Sequence, residues 1–332
     1  MLSARISGAL LLGALVSFPD RSFAALVEAR TSYSLQGSSG AASPNGSDYD
    51  PFQEQRTTVK FSPDIPFASD HKTIVVASQG GFGGFASVVG TAQAEAGIGL
   101  LRARLDFNLH AENTIDLGYQ LYGVASAQLT SATVTAGWRD TATMTVPGLP
   151  VGAPLASLAR IKVSGILFAA AEAAGCCAEA FASVGISEFG TPNFASGSVL
   201  AHSPPLPSDF DNDLAVGTKE VALVFQNGVP RTIGFTIAVN AFGSVQRGDT
   251  NSTRKGENDV QLLADYFETI KWDGLTSVVN TETGELVENW SISSESGFDY
   301  SQPYQIPEPS SILFLASGIV WLTSARIVRS RH

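Results

Sequence analysis

The sequence predicts an all-β fold, an antiparallel and jelly-roll-like β-sandwich followed by a single hydrophobic C-terminal helix. Glycine is abundant at 32 residues and methionine occurs only twice, a composition typical of short strands and turns. Residues 101–110 alternate between apolar and polar side chains. About ten short runs rich in β-branched and aromatic residues are separated by turn signals, as in sandwiches.

Residues 101–110 are the clearest strand. A period of two over this stretch predicts a half-buried antiparallel strand with one face in water. The apolar positions are Leu101, Ala103, Leu105, Phe107 and Leu109. His110 falls on the polar face, where a solvated histidine is expected.

Before this strand, residues 26–35 predict a first strand and residues 36–50 a loop rich in Gly, Ser and Asn. Prolines make residues 51–70 irregular or an edge segment. Residues 73–77 predict a short strand and residues 80–84 a flexible glycine turn.

After it, residues 119–135 and 138–146 continue the strand pattern up to Pro147-Gly148. Asn227-Gly228 predicts the turn of a hairpin between residues 219–225 and 231–242. Residues 247–259 form a charged loop, and residues 266–279 and 286–292 are the closing strands.

Residues 168–183 are ambiguous. Their many alanines favour a helix by intrinsic propensity. Gly165, Gly175, Gly185 and the neighbouring strands favour extended backbone. We predict strand here, with helix as the open alternative.

The chain is acidic, with 20 basic and 31 acidic residues. Omitting Arg5, Arg21, Asp20 and the three C-terminal arginines leaves 15 basic and 30 acidic residues, a formal charge near −15. Such a surface repels nucleic acid and anionic lipid, so a nucleic-acid partner is not expected. The adjacent pair Cys176-Cys177 cannot form an ordinary disulfide, so these two cysteines are interpreted as small packed side chains. A vicinal redox pair or an intermolecular bridge stays open.

Few residues form patterns that carry catalysis. There is no Gly-x-Ser-x-Gly elbow, His-Glu-x-x-His motif or Cys/His cluster. A carboxylate pair for glycoside hydrolysis stays open, because many acidic residues could converge. The best metal candidate is a structural calcium site with four ligands, for which the alternative is a solvated acidic loop. The four candidate ligands are Asp209, Asp211, Asp213 and Glu220.

The N-terminus has the features of a secretory signal peptide. Arg5 provides the positive n-region, residues 6–16 the apolar h-region and Ser22-Phe23-Ala24 a small-x-small site. Cleavage is therefore predicted between Ala24 and Ala25. The predicted parts are a signal peptide at residues 1–24, a secreted domain at 25–305 and a C-terminal signal at 306–332.

The C-terminal signal has three components. Pro307 and Pro309 disfavour helix around Glu308. Residues 310–325 carry no charge, and as a helix they would span about 24 Å, short of a hydrocarbon core of roughly 30 Å. This predicted membrane helix contains Ile312, Leu313, Phe314, Leu315, Ile319, Val320, Trp321 and Leu322. A basic cap, which the positive-inside rule places in the cytoplasm, consists of Arg326, Arg329 and Arg331.

This order of Pro-Glu-Pro, short apolar helix and arginine cluster resembles the PEP-CTERM sorting signal of Gram-negative envelope proteins. The resemblance covers residues 307–331 and implies that exosortase, a membrane-embedded transpeptidase, recognises the motif and removes the helix. It further implies an exported non-enzymatic protein, held transiently at the inner membrane and then released to the cell surface or the extracellular biofilm matrix. An ordinary tail anchor behind a proline linker is the alternative.

Two other functions stay open. A carbohydrate-binding sandwich with an exopolysaccharide ligand would use Trp138, Trp272, Trp290 or a tyrosine to stack on sugar faces. A secreted hydrolase would need a convergent catalytic set that the sequence does not reveal.

Overall fold

The computed structural model describes residues 25–43, 46–62, 67–79, 84–113, 122–173, 177–203, 205, 209–213, 216–247 and 256–305. Within these residues the chain forms fourteen β-strands and no helix, which confirms the all-β prediction. The strands are β1 Ala25–Ser43, β2 Gly46–Ser62, β3 Phe67–Gln79, β4 Gly84–Gly97, β5 Leu100–Asn113, β6 Tyr122–Thr145, β7 Pro154–Ala173, β8 Ala178–Glu188, β9 Asn193–Ser203, β10 Phe210–Asp213, β11 Gly217–Gln226, β12 Pro230–Arg247, β13 Gly256–Asn280 and β14 Ser291–Ser294.

The strands form two antiparallel sheets. The eight-stranded sheet has the order β10-β9-β8-β12-β6-β1-β2, and β14 also pairs with β6, just beyond the first residue of β1. The six-stranded sheet has the order β11-β7-β13-β5-β4-β3. Strands β4 and β5 pack against β6 of the other sheet, so the arrangement is sandwich-like, with the core between the sheets.

In the described part of the chain, no helix has the length and apolar character needed to cross a membrane. The predicted C-terminal helix lies outside the described residues.

The alternation predicted for residues 101–110 is confirmed in β5. Its five apolar side chains are each at most 1% exposed, while the intervening residues are half-buried or exposed. The period of two therefore separates a core face from a wet face.

The described residues of 168–183 are strand, as predicted, except Cys177, which has a φ of 76°. Residues 168–173 end β7 and residues 178–183 begin β8, with residues 174–176 outside the described part. The inward positions of β8 include Ala178, Ala180 and Ala182, each at most 3% exposed. Packing between sheets thus overrides the helix propensity of alanine.

The hairpin predicted around Asn227-Gly228 is wrong, although the turn itself is present. Strand β11 pairs with β7 in the six-stranded sheet, whereas β12 pairs with β6 and β8 in the other sheet. Gly228 has a positive φ of 67°, which suits glycine in a tight turn. The turn therefore connects the two sheets.

Three other predicted boundaries need correction. The loop predicted at residues 36–50 is largely paired backbone, because β1 continues to Ser43 between β6 and β2. Residues 286–292 are mostly irregular, since Leu286 makes only an isolated bridge and β14 is short. Residues 256–259, predicted as charged loop, begin β13. Residues 51–62 of the predicted edge segment belong to β2, which is an edge strand of the eight-stranded sheet.

An aromatic cluster joins both sheets to the C-terminal segment of the domain. Trp138 of β6 lies 5.4 Å from Phe235 of β12 and 6.4 Å from Trp272 of β13, measured between ring centroids. Tyr300 packs edge-on against Trp272 at 5.2 Å and is fully buried. Tyr300, five residues before the end of the described range, is thus part of the core.

Candidate functional site

The outer face of the eight-stranded sheet carries an unusual number of small polar side chains. Strands β1, β6, β8, β9 and β12 bury every second residue, so the alternate positions point away from the core. We call these positions the hydroxyl-rich face. Its uncharged polar members include Ser32, Ser34, Gln36, Ser38, Ser126, Gln128, Thr133, Thr135, Ser183, Ser187, Ser196, Ser198, Thr236, Asn240, Ser244 and Gln246, all half-buried or exposed.

Hydrogen bonds connect these side chains across strands. Gln36 Nε2 donates to Gln128 Oε1 at 2.7 Å, and Thr133 Oγ1 donates to Asn240 Oδ1 at 3.0 Å. The five strands that form the face contain no lysine. Groups that both donate and accept hydrogen bonds therefore dominate the face, as required for binding neutral hydroxyls.

An aromatic pair lies on this polar face. Phe181 of β8 and Phe242 of β12 are directly opposite in the ladder, and their half-buried rings stack at 4.8 Å with an interplanar angle of 21°. A depression of about 360 Å³ beside Phe181 is lined by Ser183, Ser198 and Asn240. A sugar ring has apolar C–H faces and polar hydroxyl groups. The aromatic rings can contact the first, and the neighbouring hydroxyl and amide groups can bind the second.

A second depression of about 710 Å³ lies toward the far end of β1. Its lining carries no charged side chain and includes Gln36, Ser126, Gln128 and Gln246. Cys177, exposed and with a positive φ of 76°, lies at its rim as a free thiol. Cys176 lies outside the described residues, so the relation between the two cysteines stays a prediction.

A third depression, the charged groove, lies at the opposite end of the face and has a volume of about 570 Å³. Glu28 and Arg30 of β1 and Arg139 of β6 line it together with Phe189. The Arg139 guanidinium carbon lies 4.5 Å above the centre of the Phe189 ring, in cation–π contact.

The groove holds its charges in a partly dry environment. Burial raises the pKa of the Glu28 carboxyl above its ordinary value, although the nearby charges of Arg30 and Arg139 oppose the shift. Burial also lowers the pKa of the Arg139 guanidinium, and the charge of Glu28 acts in the other direction. Partial desolvation strengthens any electrostatic contact made in the groove.

Of the three tryptophans predicted to stack on sugars, two are buried and the third is half-buried. Trp138 and Trp272 are 3% and 2% exposed, so both belong to the core. Trp290 is half-buried and packs against the core. Tyr33, Tyr266 and Tyr300 are also buried. The aromatic side chains that do line the hydroxyl-rich face are phenylalanines.

Two histidines lie between carboxylates. His202 Nδ1 is 2.5 Å from Asp209 Oδ1, and His202 Nε2 is 3.7 Å from Glu179. His110 Nδ1 is 2.8 Å from Asp259 Oδ1, so it is paired as well as placed on the polar face of β5. Within the described residues, no group of three or more His, Cys, Asp or Glu side chains could hold a metal ion.

The predicted calcium ligands are divided between the two sheets. Asp209 bonds to His202 just before β10, whereas Glu220 is an exposed residue of β11 in the six-stranded sheet. The side chains of Asp211 and Asp213 lie outside the described part. The calcium site therefore stays a prediction.

The sorting residues 307–331 and the cleavage residue Ala24 lie outside the described residues. Ala25, the residue that follows the predicted cleavage, begins β1. The described residues end at Gln305, directly before the predicted C-terminal signal.

Sequence reasoning missed Phe181, Phe242 and Phe189. Phe181 alternates with Ala180 and Ala182, so a period of two already separates its ring from the alanine face. Which face of β8 is buried depends on the opposing sheet, and the sequence carried no signal that identifies the buried face.

No protein-family model matches the chain, and neither curated proteins nor solved structures show a significant similarity to it.

Proposed function

We propose that this chain is an exported, non-enzymatic envelope or extracellular-matrix protein whose C-terminal signal is recognised and processed by exosortase. The observation that carries the proposal is the ordered set of Pro307-Glu308-Pro309, an uncharged stretch and an arginine cluster, in a chain whose first 24 residues have the pattern of a signal peptide. The short membrane helix holds the protein at the inner membrane only until exosortase cuts.

The domain is also suited to present that signal. Backbone N–H of Tyr304 donates to Trp272 O at 2.8 Å, so the chain is attached to the sandwich three residues before Pro307. The tether between folded domain and motif is therefore short. Exosortase must accept the motif close to the surface of the domain.

We further propose that the sandwich is jelly-roll-like and is followed by the predicted C-terminal helix. Two features support the jelly-roll topology. β6 pairs with β12 while β7 pairs with β11, and the connections β6–β7 and β11–β12 cross between the sheets at the same end. In a jelly roll, two paired antiparallel strands both continue into the opposite sheet at the same end.

The test is expression of the full chain in an exosortase-bearing Gram-negative host. Mass spectrometry of the mature protein is expected to find the wild-type chain without the helix and its basic cap, residues 310–332, and the Pro307→Ala/Pro309→Ala variant with them. Pro303→Ala, an exposed proline outside the motif, is the matched control and should be processed normally. Unchanged processing of the double variant would refute the proposal.

A second candidate function is binding of a polysaccharide by the hydroxyl-rich face. The specific observation in its favour is the stacked pair Phe181–Phe242 among serine, threonine and asparagine side chains. A sugar ring offers apolar C–H faces to such a pair and equatorial hydroxyls to its polar neighbours. The ligand would be the exopolysaccharide of the matrix into which the protein is released.

This second function is tested by affinity electrophoresis of the full chain in gels containing exopolysaccharide from the same host. Phe181→Ala is expected to weaken retardation by about tenfold, as for loss of an aromatic hot spot. Phe168→Ala removes an exposed phenylalanine from the other sheet and should leave retardation unchanged. Equal behaviour of the two variants, or no retardation of the wild type, would count against the candidate.

A further inference from the structure

The charged groove differs from the other two depressions of the hydroxyl-rich face because charged side chains line it. Two guanidinium groups, Arg30 and Arg139, share the groove with one carboxylate, Glu28. Its formal charge is therefore +1, in a chain whose formal net charge is −11. A local positive site on an acidic protein is suited to an anionic group on an otherwise polar ligand.

The wall of the groove is a defined turn. Phe189 N–H donates to Gly234 O at 2.8 Å, and Thr191 N–H donates to Glu188 O at 3.0 Å. Glu188 itself forms an ion pair with Arg231 below the turn. The Phe189 ring is 42% exposed and contacts the Arg139 guanidinium on one side, so the turn presents an apolar surface beside a fixed positive charge.

Gly137 of β6 lies at the floor of the groove. A Cβ at Gly137 would lie 3.2 Å from Thr236 Oγ1, so the hydroxyl of Thr236 occupies the space above this glycine. Thr135 supplies a second hydroxyl from β6. The volume of about 570 Å³ is within the range of about 300–1,000 Å³ that small-molecule sites occupy.

We propose that the charged groove binds a carboxylate-bearing sugar ring of an acidic polysaccharide, with Arg139 and Arg30 on the carboxylate, Phe189 against the ring carbons and the two threonines on its hydroxyls. This inference rests on the second candidate function, since it assigns one subsite of the same glycan-binding face. A planar guanidinium pairs with a carboxylate through two parallel hydrogen bonds, which a neutral sugar cannot use.

The partial desolvation of the groove supports this assignment. Burial acts on both Glu28 and Arg139, so water screens the groove less than an open surface. Glu28 offsets one of the two positive charges when no ligand is bound. Replacing Glu28 with glutamine should therefore strengthen binding of an acidic sugar.

The experiment is isothermal titration of the purified full chain with galacturonate oligomers and with galactose oligomers of equal length, in 50 mM salt. The wild type is expected to bind the acidic oligomer at least tenfold more tightly than the neutral one. Arg139→Gln should abolish that preference, Arg139→Lys should retain part of it, and Glu28→Gln should increase it. Arg160→Gln, on the outer face of the other sheet, is the matched control and should keep the wild-type preference.

The possible outcomes separate the two proposals. Binding of both oligomers with equal affinity would overturn the carboxylate subsite and leave the glycan-binding face intact. Binding of neither oligomer, nor of the host exopolysaccharide, would overturn both. Free galacturonate that binds as tightly as the galacturonate oligomer would overturn the assignment to a polysaccharide. Circular dichroism of each variant identifies any loss of affinity that is due to misfolding.

Discussion

The hydroxyl of Tyr300 donates a 2.9 Å hydrogen bond to Oδ2 of Asp140, a residue 160 positions earlier in the chain. Asp140 is 2% exposed and Tyr300 is fully buried. The carboxylate also accepts hydrogen bonds from Ser296 N, Ser296 Oγ and Thr141 N. A buried carboxylate with four donors thus attaches the C-terminal segment to β6.

This attachment lies next to the proposed sorting motif. The segment that precedes the proposed exosortase motif joins the core only when β6 and β13 are in place, because it contacts Asp140 and Trp272. Burial, then the charge and hydrogen bond of Asp140, raise the pKa of the Tyr300 hydroxyl. The hydroxyl therefore remains a donor at any physiological pH.

We predict that Tyr300→Phe destabilises the domain by about 1–3 kcal/mol, because the buried Asp140 carboxylate loses one donor. Urea unfolding of the full chain measures the change. Tyr304→Phe, at a half-buried position nearby, should change the free energy of unfolding by less than about 0.5 kcal/mol. Equal effects of the two substitutions would contradict the role given to Asp140.

We predict that Asn227→Ala destabilises the domain by about 2–3 kcal/mol, because the buried Asn227 amide joins the β11–β12 turn to the β6–β7 connection. The Asn227 Oδ1 accepts from Val146 N at 2.7 Å, and Nδ2 donates to Leu149 O at 2.8 Å. Chemical denaturation checks the magnitude. Asn227→Asp retains the acceptor but turns a carboxylate oxygen toward the carbonyls of Leu149 and Pro150, so it should be at least as destabilising as Asn227→Ala. A neutral Asn227→Ala would show that the two crossings do not depend on this side chain.

We predict that Gly165→Ala destabilises the domain by about 1–3 kcal/mol through overpacking. A Cβ at this position would lie 2.3 Å from Cδ1 of Tyr266 and 2.8 Å from Asp265 O. The measurement is the thermal unfolding midpoint. Lys162→Ala, an exposed substitution on the same strand, serves as control and should leave the midpoint nearly unchanged.

We predict that Glu28→Gln stabilises the domain at pH 7. The pKa of Glu28 is raised in the folded state, mainly by burial. Its contribution to stability is therefore full below its unfolded pKa of about 4.3 and is lost as pH rises through the folded value. Glutamine remains uncharged at every pH, so the gain over wild type should disappear below about pH 4.

Thermal unfolding between pH 3.5 and 8 tests this prediction, with the exposed Glu220→Gln as control. A Glu28→Gln variant less stable than wild type at pH 7 would mean that attraction to Arg30 and Arg139 outweighs the cost of burial.

Much of the local structure follows from sequence pattern. The alternation in β5 identifies its core residues correctly, and the glycines around residues 168–183 correctly favour strand over helix. Strand partners were harder to predict. Asn227-Gly228 has the local chemistry of a hairpin turn, yet its flanking strands pair in different sheets. The amide of Asn227 bonds to residues 81 and 78 positions away, which no local pattern reveals.

The candidate site shows the same division. Ser, Thr and Gln at alternate positions of β1 and β6 predict a polar face on each strand, but not that five such strands lie side by side. Trp138 was a candidate for sugar stacking because tryptophans often have that role. The structure places it in the core, 5.9 Å from Tyr300 between ring centroids. Phe189 enters the charged groove only because the turn after β8 places it above Arg139 of β6.

The sequence alone determined the strand class of the domain and its acidity, because these depend on neighbouring residues and on composition. The proposed export and sorting also rest on local sequence patterns, at the two ends of the chain. Tertiary structure decided which strands pair, which face of each strand is buried and which aromatic rings line the outer surface. The physical reason is that a period of two separates the two faces of a strand without identifying the inner one. Burial against the opposing sheet makes that choice, through contacts between residues far apart in the chain.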